Sequence, residues 1–403
     1  MTEIQHTRLY LAYLRRRFRH SLARRPKHGT GRFLHEVAGQ GARRRCLLVH
    51  LTDPFLRRDV DVKHQNRWQA RELARLAGEY GFAVDVIDPG CPRMPPTASY
   101  DLVIDLHPGL TPAYEQACRP DTRRIAYITG SNPAFSNRAE AGRIAEVERA
   151  TGVRLKPRRQ VPVFTQKDLA ACNGFFFIGS RANLETYREF QLPPVHFIRN
   201  FAYPVPNIDH TKSSATDFLF LSSGGQVHKG LERLLAVVAG RDDWVLHVCS
   251  AFHEEPDFCR LFRSQLFGRR NIIPHGFLPL DSERFRRVAA RCCVMVLPSC
   301  SEANAGSVLS GVAAGLVPLV TEECGFEPDE VHRLAGADLE AIESGMESVA
   351  RRSVQWMNAE ADRIGALVRR RYSTESYSAS VRRGLESVLA ESQGSIQFSS
   401  TCE

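Results

Sequence analysis

Apolar and polar positions alternate along the first half of the chain in a way that predicts repeated strand and helix units. Short, continuous apolar runs, typical of strands covered on both faces, occur at 46–51, 82–87, 101–106, 124–129, 175–178 and 195–198. Apolar residues recur at helical spacing over 67–80, 138–151 and 181–190. Strands that alternate with helices form a parallel sheet wound on both faces, so this half is predicted to be an α/β domain.

The same pattern starts again after a break at 203–214, which contains Pro204 and Pro206 and is typical of a linker. Strands are predicted at 217–222, 244–249, 271–273, 293–297 and 317–320, and helices at 230–239, 255–267, 282–290 and 307–315. We assign a leader to 1–42, domains to 43–203 and 215–360 with the linker 204–214 between them, and a closing helix and tail to 361–403. Two such domains place a ligand site in the cleft between them.

The leader has the pattern of a basic amphipathic helix, with Leu11, Leu14, Phe18 and Leu22 on one face. Residues 1–45 hold twelve of the 54 Lys and Arg and two of the 45 Asp and Glu, which leaves 42 and 43 for the rest of the chain. Residues 8–32 are therefore a candidate for contact with an anionic membrane surface. The alternatives are a helix packed on the domain behind it and a solvated tail. No aromatic interleaving or helix-turn-helix pattern favours a nucleic-acid partner.

Composition points to a folded protein of the cytoplasm, either free or peripheral on the inner face of the membrane. Hydrophobic residues make up 43% and charged residues 25% of the chain, which excludes wholesale disorder. The longest uncharged stretch, 303–321, is interrupted by Asn304 and Pro318 and makes a poor membrane span. Eleven scattered cysteines without a C-x-x-C pair fit reduced thiols.

Residues 222–230 (SSGGQVHKG) place a glycine-rich turn between a strand and a helix. Gly224 and Gly225 allow the backbone to approach a ligand closely, and Lys229 brings a cation and free N–H groups to the start of the next helix. Phosphate is the ligand that such a turn suits. Glycine turns after strands are common, however, and a lone lysine is often only solvated.

Residues 298–302 and 303–315 follow the next predicted strand and begin another helix. Glu302 would lie at the edge of the cleft, where its carboxylate can bind sugar hydroxyls or stabilise positive charge. Ala305, Gly306 and Ser307 are small enough for the helix N-terminus to approach a diphosphate. The alternatives are a glutamate favoured by the helix dipole and a helix that is simply packed tightly.

Together these segments resemble the nucleotide-sugar domain of family 4-like retaining glycosyltransferases of the GT-B fold. The resemblance covers residues 215–325 and is carried by Gly225, His228-Lys229-Gly230, His275-Gly276-Phe277, Pro298-Ser299, Ser301-Glu302 and the run 315–320 (GLVPLV). Residues 371–377 also resemble the closing helix of that family, which crosses back to the first domain. The resemblance implies two facing Rossmann-like domains with parallel sheets.

The resemblance also implies roles for single residues. Lys229 would neutralise the donor diphosphate, Glu302 would contact the donor sugar, and Gly276 would lie at the donor site. The family carries a second acidic residue where this chain has Ser310, which can make only a neutral hydrogen bond to the nucleotide ribose. This departure puts donor affinity, or activity itself, in question.

The family tends to place a histidine of the first domain against the donor sugar, and two positions compete for that role. His107 follows the third predicted strand and Asn132 follows the fourth; we favour His107. Segments 137–140 and 154–159 are candidates for acceptor or phosphate contacts, or else a solvated face. Asp59-Val-Asp61 reads as a loop, so neither a metal nor a cofactor other than the donor substrate is expected.

The sequence thus predicts a glycosyltransferase that moves a sugar from a nucleoside diphosphate sugar to a glycan or lipid-linked acceptor, with retention, in glycan or surface polysaccharide synthesis. An epimerase of nucleotide sugars on the same fold is an alternative. So is a degenerate member that binds a nucleotide sugar or glycan without transfer, which Ser310 suggests.

Overall fold

The computed structural model describes residues 31–56, 65–93, 99–205, 208–210 and 213–390. The predicted leader helix around 11–22 and the Asp59-Val-Asp61 segment lie outside these residues. The chain forms two sheets, each layered with helices.

The first sheet has seven strands in the order β1-β3-β2-β4-β5-β6-β7, and all of them except β1 run parallel. The strands are β1 Phe33–Ala38, β2 Arg44–Val49, β3 Phe82–Ile87, β4 Tyr100–Asp105, β5 Cys118–Thr129, β6 Gly174–Ile178 and β7 Val195–Phe197. The α-helices are α1 Gln65–Glu79, α2 Pro133–Thr151, α3 Gln166–Ala170 and α4 Arg181–Glu185, with short 3-10 helices at Asp53–Leu56 and Pro112–Ala117. The predicted parallel α/β arrangement is confirmed for β2 to β7.

Strand β1 was not predicted, and it lies inside the segment that we assigned to the leader. It pairs antiparallel with β3 at the sheet edge, and its register shifts between Leu34 and Ala38, where Glu36 has a φ of 43°. An edge strand that is half-buried carries no continuous apolar run, which explains why the hydrophobic pattern missed it. The helix predicted over 181–190 was too long, because α4 ends at Glu185 and the chain continues in turns.

The second sheet has six parallel strands in the order β10-β9-β8-β11-β12-β13. They are β8 Ser214–Leu221, β9 Val245–Cys249, β10 Ile272–Pro274, β11 Cys292–Leu297, β12 Val317–Val320 and β13 His332–Arg333. The α-helices are α5 Leu231–Ala239, α6 Pro256–Leu261, α7 Arg263–Gly268, α8 Glu283–Ala289, α9 Gly306–Ala313, α10 Leu339–Ala350, α11 Val354–Arg371 and α12 Thr374–Ala390. The single helix predicted at 255–267 is therefore two, α6 and α7.

The last two helices serve different domains. Helix α11 buries Met357, Ile364 and Val368 in the core of the second domain, so the boundary that we placed at 361 falls inside this helix. Helix α12 packs on the core of the first domain, with Tyr127 and Tyr377 joined through their hydroxyls at 2.9 Å. The predicted closing helix that crosses back to the first domain is confirmed.

The ten cysteines of the described residues are all free thiols. Among the same residues, no helix combines the length and the apolar character needed to cross a bilayer.

Replacing Leu385 in α12 tests the crossover. Leu385 is fully buried in the first-domain core, so Leu385→Ala should lower the free energy of unfolding by about 2–5 kcal/mol, because it leaves a cavity. Denaturant unfolding followed by circular dichroism measures this loss. The control is Ser387→Ala on the exposed face of the same helix, which should change stability by less than about 0.5 kcal/mol. Equal effects of the two substitutions would contradict the packing.

Candidate functional site

The carboxyl ends of β5 and β11 meet between the two domains. Gly130, which follows β5, has a φ of +120°, a backbone conformation that favours glycine, and an added Cβ would lie 3.1 Å from the backbone oxygen of Glu302. Asn183 of α4 donates from Nδ2 to the backbone oxygens of Glu302 (3.3 Å) and Glu323 (3.4 Å). Ala303 packs against the first-domain core. The segment that carries Glu302 is thus held directly by the first domain.

Lys229 and Glu302 form a buried ion pair at this junction. The Lys229 ammonium donates to Glu302 Oε1, and the Ser299 hydroxyl donates to the same oxygen at 2.8 Å. The two side chains are 7% and 10% exposed. A Cβ on Gly230 would lie 2.5 Å from the Pro298 oxygen. The glycine after Lys229 therefore lets the turn lie against the end of β11, which brings the lysine to the glutamate.

Charge, rather than burial, decides the protonation of Glu302. Burial by itself would raise the pKa of this carboxyl, but the nearby charges of Lys229, His228 and Arg159 lower its pKa to about 2. Burial lowers the pKa of Lys229, although Glu302 acts in the opposite direction. Glu302 is therefore ionised at neutral pH and is a ready acceptor for hydroxyl groups.

His228 lies beside the pair and was part of the sequence motif without an assigned role. Burial lowers the pKa of its ring to about 4, so the ring is neutral at neutral pH. Its Nε2 lies 2.6 Å from the Ser301 backbone oxygen. Since that oxygen can only accept, Nε2 carries the proton, and the buried Nδ1 is an acceptor without a partner among the described residues.

Backbone amides of the glycine-rich turn 222–230 are hydrogen-bonded to another part of the protein. The N–H groups of Gly225 and Gln226 donate to the carboxylate of Glu255, which is 5% exposed. Burial raises the pKa of Glu255, while these bonds act to lower it. The amide of Gly225, where we predicted a close approach of the backbone to a ligand, is therefore bonded to a carboxylate, which nothing in the local pattern of 222–230 indicated.

The start of α9 is also covered. A Cβ on Gly306 would overlap the side chain of Gln65, which reaches the helix from α1 of the first domain. Ala305 is the N-cap residue and Ser307 lies in the first turn. The Ser310 hydroxyl donates to the Gly306 oxygen of its own helix at 2.8 Å. The Ser310 hydroxyl is thus bonded within its own helix.

Gly276 lies after β10 and has a φ of +75°. A Cβ added at this position would lie 4.0 Å from His253 Nδ1. The preceding residue, His275, bonds through Nε2 to His247 Nδ1 at 3.0 Å, and His247 in turn faces Asp217 at 3.4 Å. Burial lowers the pKa of His275 to about 3, so this ring is neutral.

His107 and Asn132 lie at the ends of neighbouring strands. The His107 amide donates to Asp105 at 2.8 Å, and burial lowers the pKa of its ring to about 4. Within the described ranges, the hydrogen bonds and ion pairs of Lys229 and Glu302 do not include His107. Asn132 caps α2 by accepting from the N–H groups of Ala134 and Phe135. The loop of Asn132, rather than that of His107, adjoins the Glu302 segment.

A cavity of about 510 Å³ opens beside this loop. Asn132, Phe135, Arg138 and Phe190 of the first domain and Glu323 of the second are among its lining residues. Aromatic rings next to charged and amide groups are the lining that binds sugar rings and their hydroxyls. In the part of the chain that the structure describes, no three His, Cys, Asp or Glu side chains are grouped to hold a metal ion.

The two domains and the cleft between them define the GT-B fold. No family profile matches the sequence, and no curated protein sequence matches it. Solved structures do match. Sucrose-phosphate synthase from Thermosynechococcus elongatus superposes with a TM-score of 0.59 at 13% identity, over 87% of this chain and 100% of that one. Anabaena HepE superposes with a TM-score of 0.54 at 11% identity, over 85% and 99%. At these identities the likeness establishes the fold.

Staphylococcus aureus TarM is a larger protein with a more distant likeness. Its TM-score is 0.49 at 11% identity, and the match covers 71% of this chain. The chain spans 55% of the length of TarM.

Acid unfolding tests the electrostatics of the ion pair. Because its pKa is lowered from 4.5 to about 2, Glu302 contributes stability that is present above pH 4.5 and is lost as the pH falls toward 2. Glu302→Gln should therefore lower the free energy of unfolding by about 3–5 kcal/mol at neutral pH. The gap between the free energies of unfolding of wild type and of this variant should narrow as the pH falls. Unfolding in urea at several pH values measures the gap.

The control for this test is Glu322→Gln, since the Glu322 side chain is 57% exposed and bonded to Arg333 at the surface. This substitution should cost less than about 1 kcal/mol at neutral pH. A gap between wild type and Glu302→Gln that stays constant down to pH 2 would contradict the assignment.

Proposed function

We propose that this protein is a glycosyltransferase that moves a sugar from a nucleoside diphosphate sugar to an acceptor hydroxyl with retention of anomeric configuration. The observation that carries the proposal is the buried pair of Lys229 and Glu302 at the junction of the two domains. A desolvated cation next to an ionised carboxylate matches the two needs of this reaction, which are a leaving diphosphate and a sugar that gains positive charge.

Lys229 would act on the leaving group. As the bond between the anomeric carbon and the diphosphate breaks, negative charge grows on the phosphate oxygens, and a buried ammonium stabilises that charge strongly because little water screens it. We propose that Lys229 handles this charge without a metal and without a further cofactor.

Glu302 would act on the sugar. Its carboxylate accepts from Lys229 and Ser299. Because the carboxylate is ionised, it can also accept from sugar hydroxyls and stabilise the positive charge that develops at the anomeric carbon. HepE, which shares the fold, was solved in complex with UDP and glucose. This supports a nucleotide sugar as the donor here.

The acceptor would bind in the cavity beside Asn132. A glycan or a lipid-linked glycan, as in surface polysaccharide synthesis, suits its mixture of aromatic, amide and charged groups. We propose that the basic residues 8–32 hold the protein at the inner face of a membrane, where such an acceptor would lie.

A binding protein without transfer activity is the second candidate, and Ser310 is the observation that favours it. The Ser310 hydroxyl is bonded within α9, so the ribose would lack the carboxylate that the family resemblance leads one to expect. A weaker hold on the donor would be compatible with binding but slow transfer.

Replacing Lys229 tests the role in leaving-group stabilisation. A panel of nucleoside diphosphate sugars in a thermal-shift assay first identifies the donor, because a ligand raises stability by mass action. Lys229→Met should then lower donor turnover about 100-fold or more. Turnover is measured as release of the nucleoside diphosphate, and NMR determines the anomeric configuration of the product.

Because Lys229→Met leaves Glu302 buried without its partner, the double variant Lys229→Met/Glu302→Gln is the matched control for folding. It removes both charges, so it should keep near wild-type stability and still fail to turn over the donor. Undiminished turnover in either variant would contradict the proposal, and donor binding by wild type without any turnover would favour the binding protein.

A paired substitution tests which first-domain residue faces the donor sugar. Asn132→Asp keeps the cap on α2, because the carboxylate can still accept from Ala134 and Phe135, but it removes the amide donor. We expect Asn132→Asp to lower turnover about 10-fold and His107→Ala to change it less than about 3-fold, since one hydrogen bond is worth roughly 1 kcal/mol. The opposite result would return the role to His107.

A further inference from the structure

The segment 154–159, which follows α2, is hydrogen-bonded to both domains. On the side of the first domain, buried Glu140 accepts from the N–H groups of Arg158 (2.8 Å) and Arg159 (2.9 Å). On the side of the second domain, Asp257 accepts from the Lys156 N–H at 3.2 Å and pairs with the Arg158 guanidinium. Side chains on this segment therefore have a defined position relative to the glycine-rich turn.

The stem of Arg159 lies directly on Gly225. A Cβ at position 225 would come within 2.5 Å of Arg159 Cγ and 2.9 Å of its Cδ, and Gly225 has a φ of +83°. Both the space and the conformation require a glycine there. Gly225 thus has two contacts. Its N–H donates to Glu255, and its lack of a side chain lets Arg159 of the first domain lie across the turn that leads to Lys229.

Among the residues that the structure describes, no carboxylate or carbonyl accepts from the guanidinium of Arg159, and the residue is exposed. Its charge nevertheless acts on the ion pair, since it contributes to the lowered pKa values of Lys229, His228 and Glu302. Two cations thus act on one carboxylate, which leaves surplus positive charge beside the ion pair.

We propose that Arg159 of the first domain and Lys229 of the second together bind the diphosphate of the donor, so that the ligand bridges the two domains. This inference rests on the proposed function. A planar guanidinium can bind two phosphate oxygens at once, whereas Lys229 supplies a point charge. With the turn amides occupied by Glu255, side-chain cations take the place of backbone N–H groups in holding the phosphates.

Calorimetric titration tests this inference. The probe is whichever of UDP, ADP, GDP and TDP binds wild type most tightly, and its parent nucleoside is the comparison. We expect Arg159→Gln to lower the affinity for the nucleoside diphosphate about 10-fold at low salt, and Arg159→Lys to lower it less. The affinity for the nucleoside should be unchanged in both variants. The difference should shrink at about 0.5 M salt, because salt screens an exposed charge.

Arg149→Gln is the matched control, because it removes the same charge from an exposed position in the last turn of α2 and should leave binding unchanged. An unchanged diphosphate affinity in Arg159→Gln, or an equal loss for diphosphate and nucleoside, would overturn the role of Arg159 while leaving the proposed function intact. If wild type binds neither a nucleoside diphosphate nor inorganic pyrophosphate, the proposed function fails, and this inference fails with it.

Discussion

The packing of the first domain into the core of the second is the constraint on which the site depends. Ile144 and Val147 of α2, together with Leu155 after it, are buried in the apolar cluster of the second domain. Burying side chains of this kind contributes about 1.5–3 kcal/mol each. This contact, with α12 returning to the first domain, keeps the carboxyl ends of the two sheets face to face. The same junction holds the segment of Glu302 against Gly130 and Asn183 of the first domain.

Burial gives the ion pair its chemical character. A pair such as Lys229 and Glu302 gains little net stability, because removing both charges from water costs about as much as their attraction returns. The same exclusion of water strengthens their interaction with any charged ligand. The roles proposed for Lys229 and Glu302 depend on this strengthening, whereas the stability of the fold gains little from the pair.

The protein also satisfies its own polar groups around the pair. Glu255 occupies the amides of the glycine-rich turn, Ser310 bonds within α9, and Asn183 joins the Glu302 segment to the first domain. Buried donors and acceptors that lack water need partners of this kind. Among the described residues, the buried His228 Nδ1 and the guanidinium of Arg159 have no hydrogen-bond partner beside the pair. These groups and the cavity beside Asn132 are where a ligand can bind.

Much of this organisation was determined by the sequence alone. Continuous apolar runs located the parallel strands, because burial on both faces leaves a local signal. The spacing of Lys229 and Glu302 after their strands placed both at the same sheet edge. Tertiary structure decided the rest, namely the antiparallel edge strand Phe33–Ala38, the partner of the glycine-rich turn in Glu255, and the position of Arg159 over Gly225. Such contacts join residues far apart in the chain, so no local pattern records them.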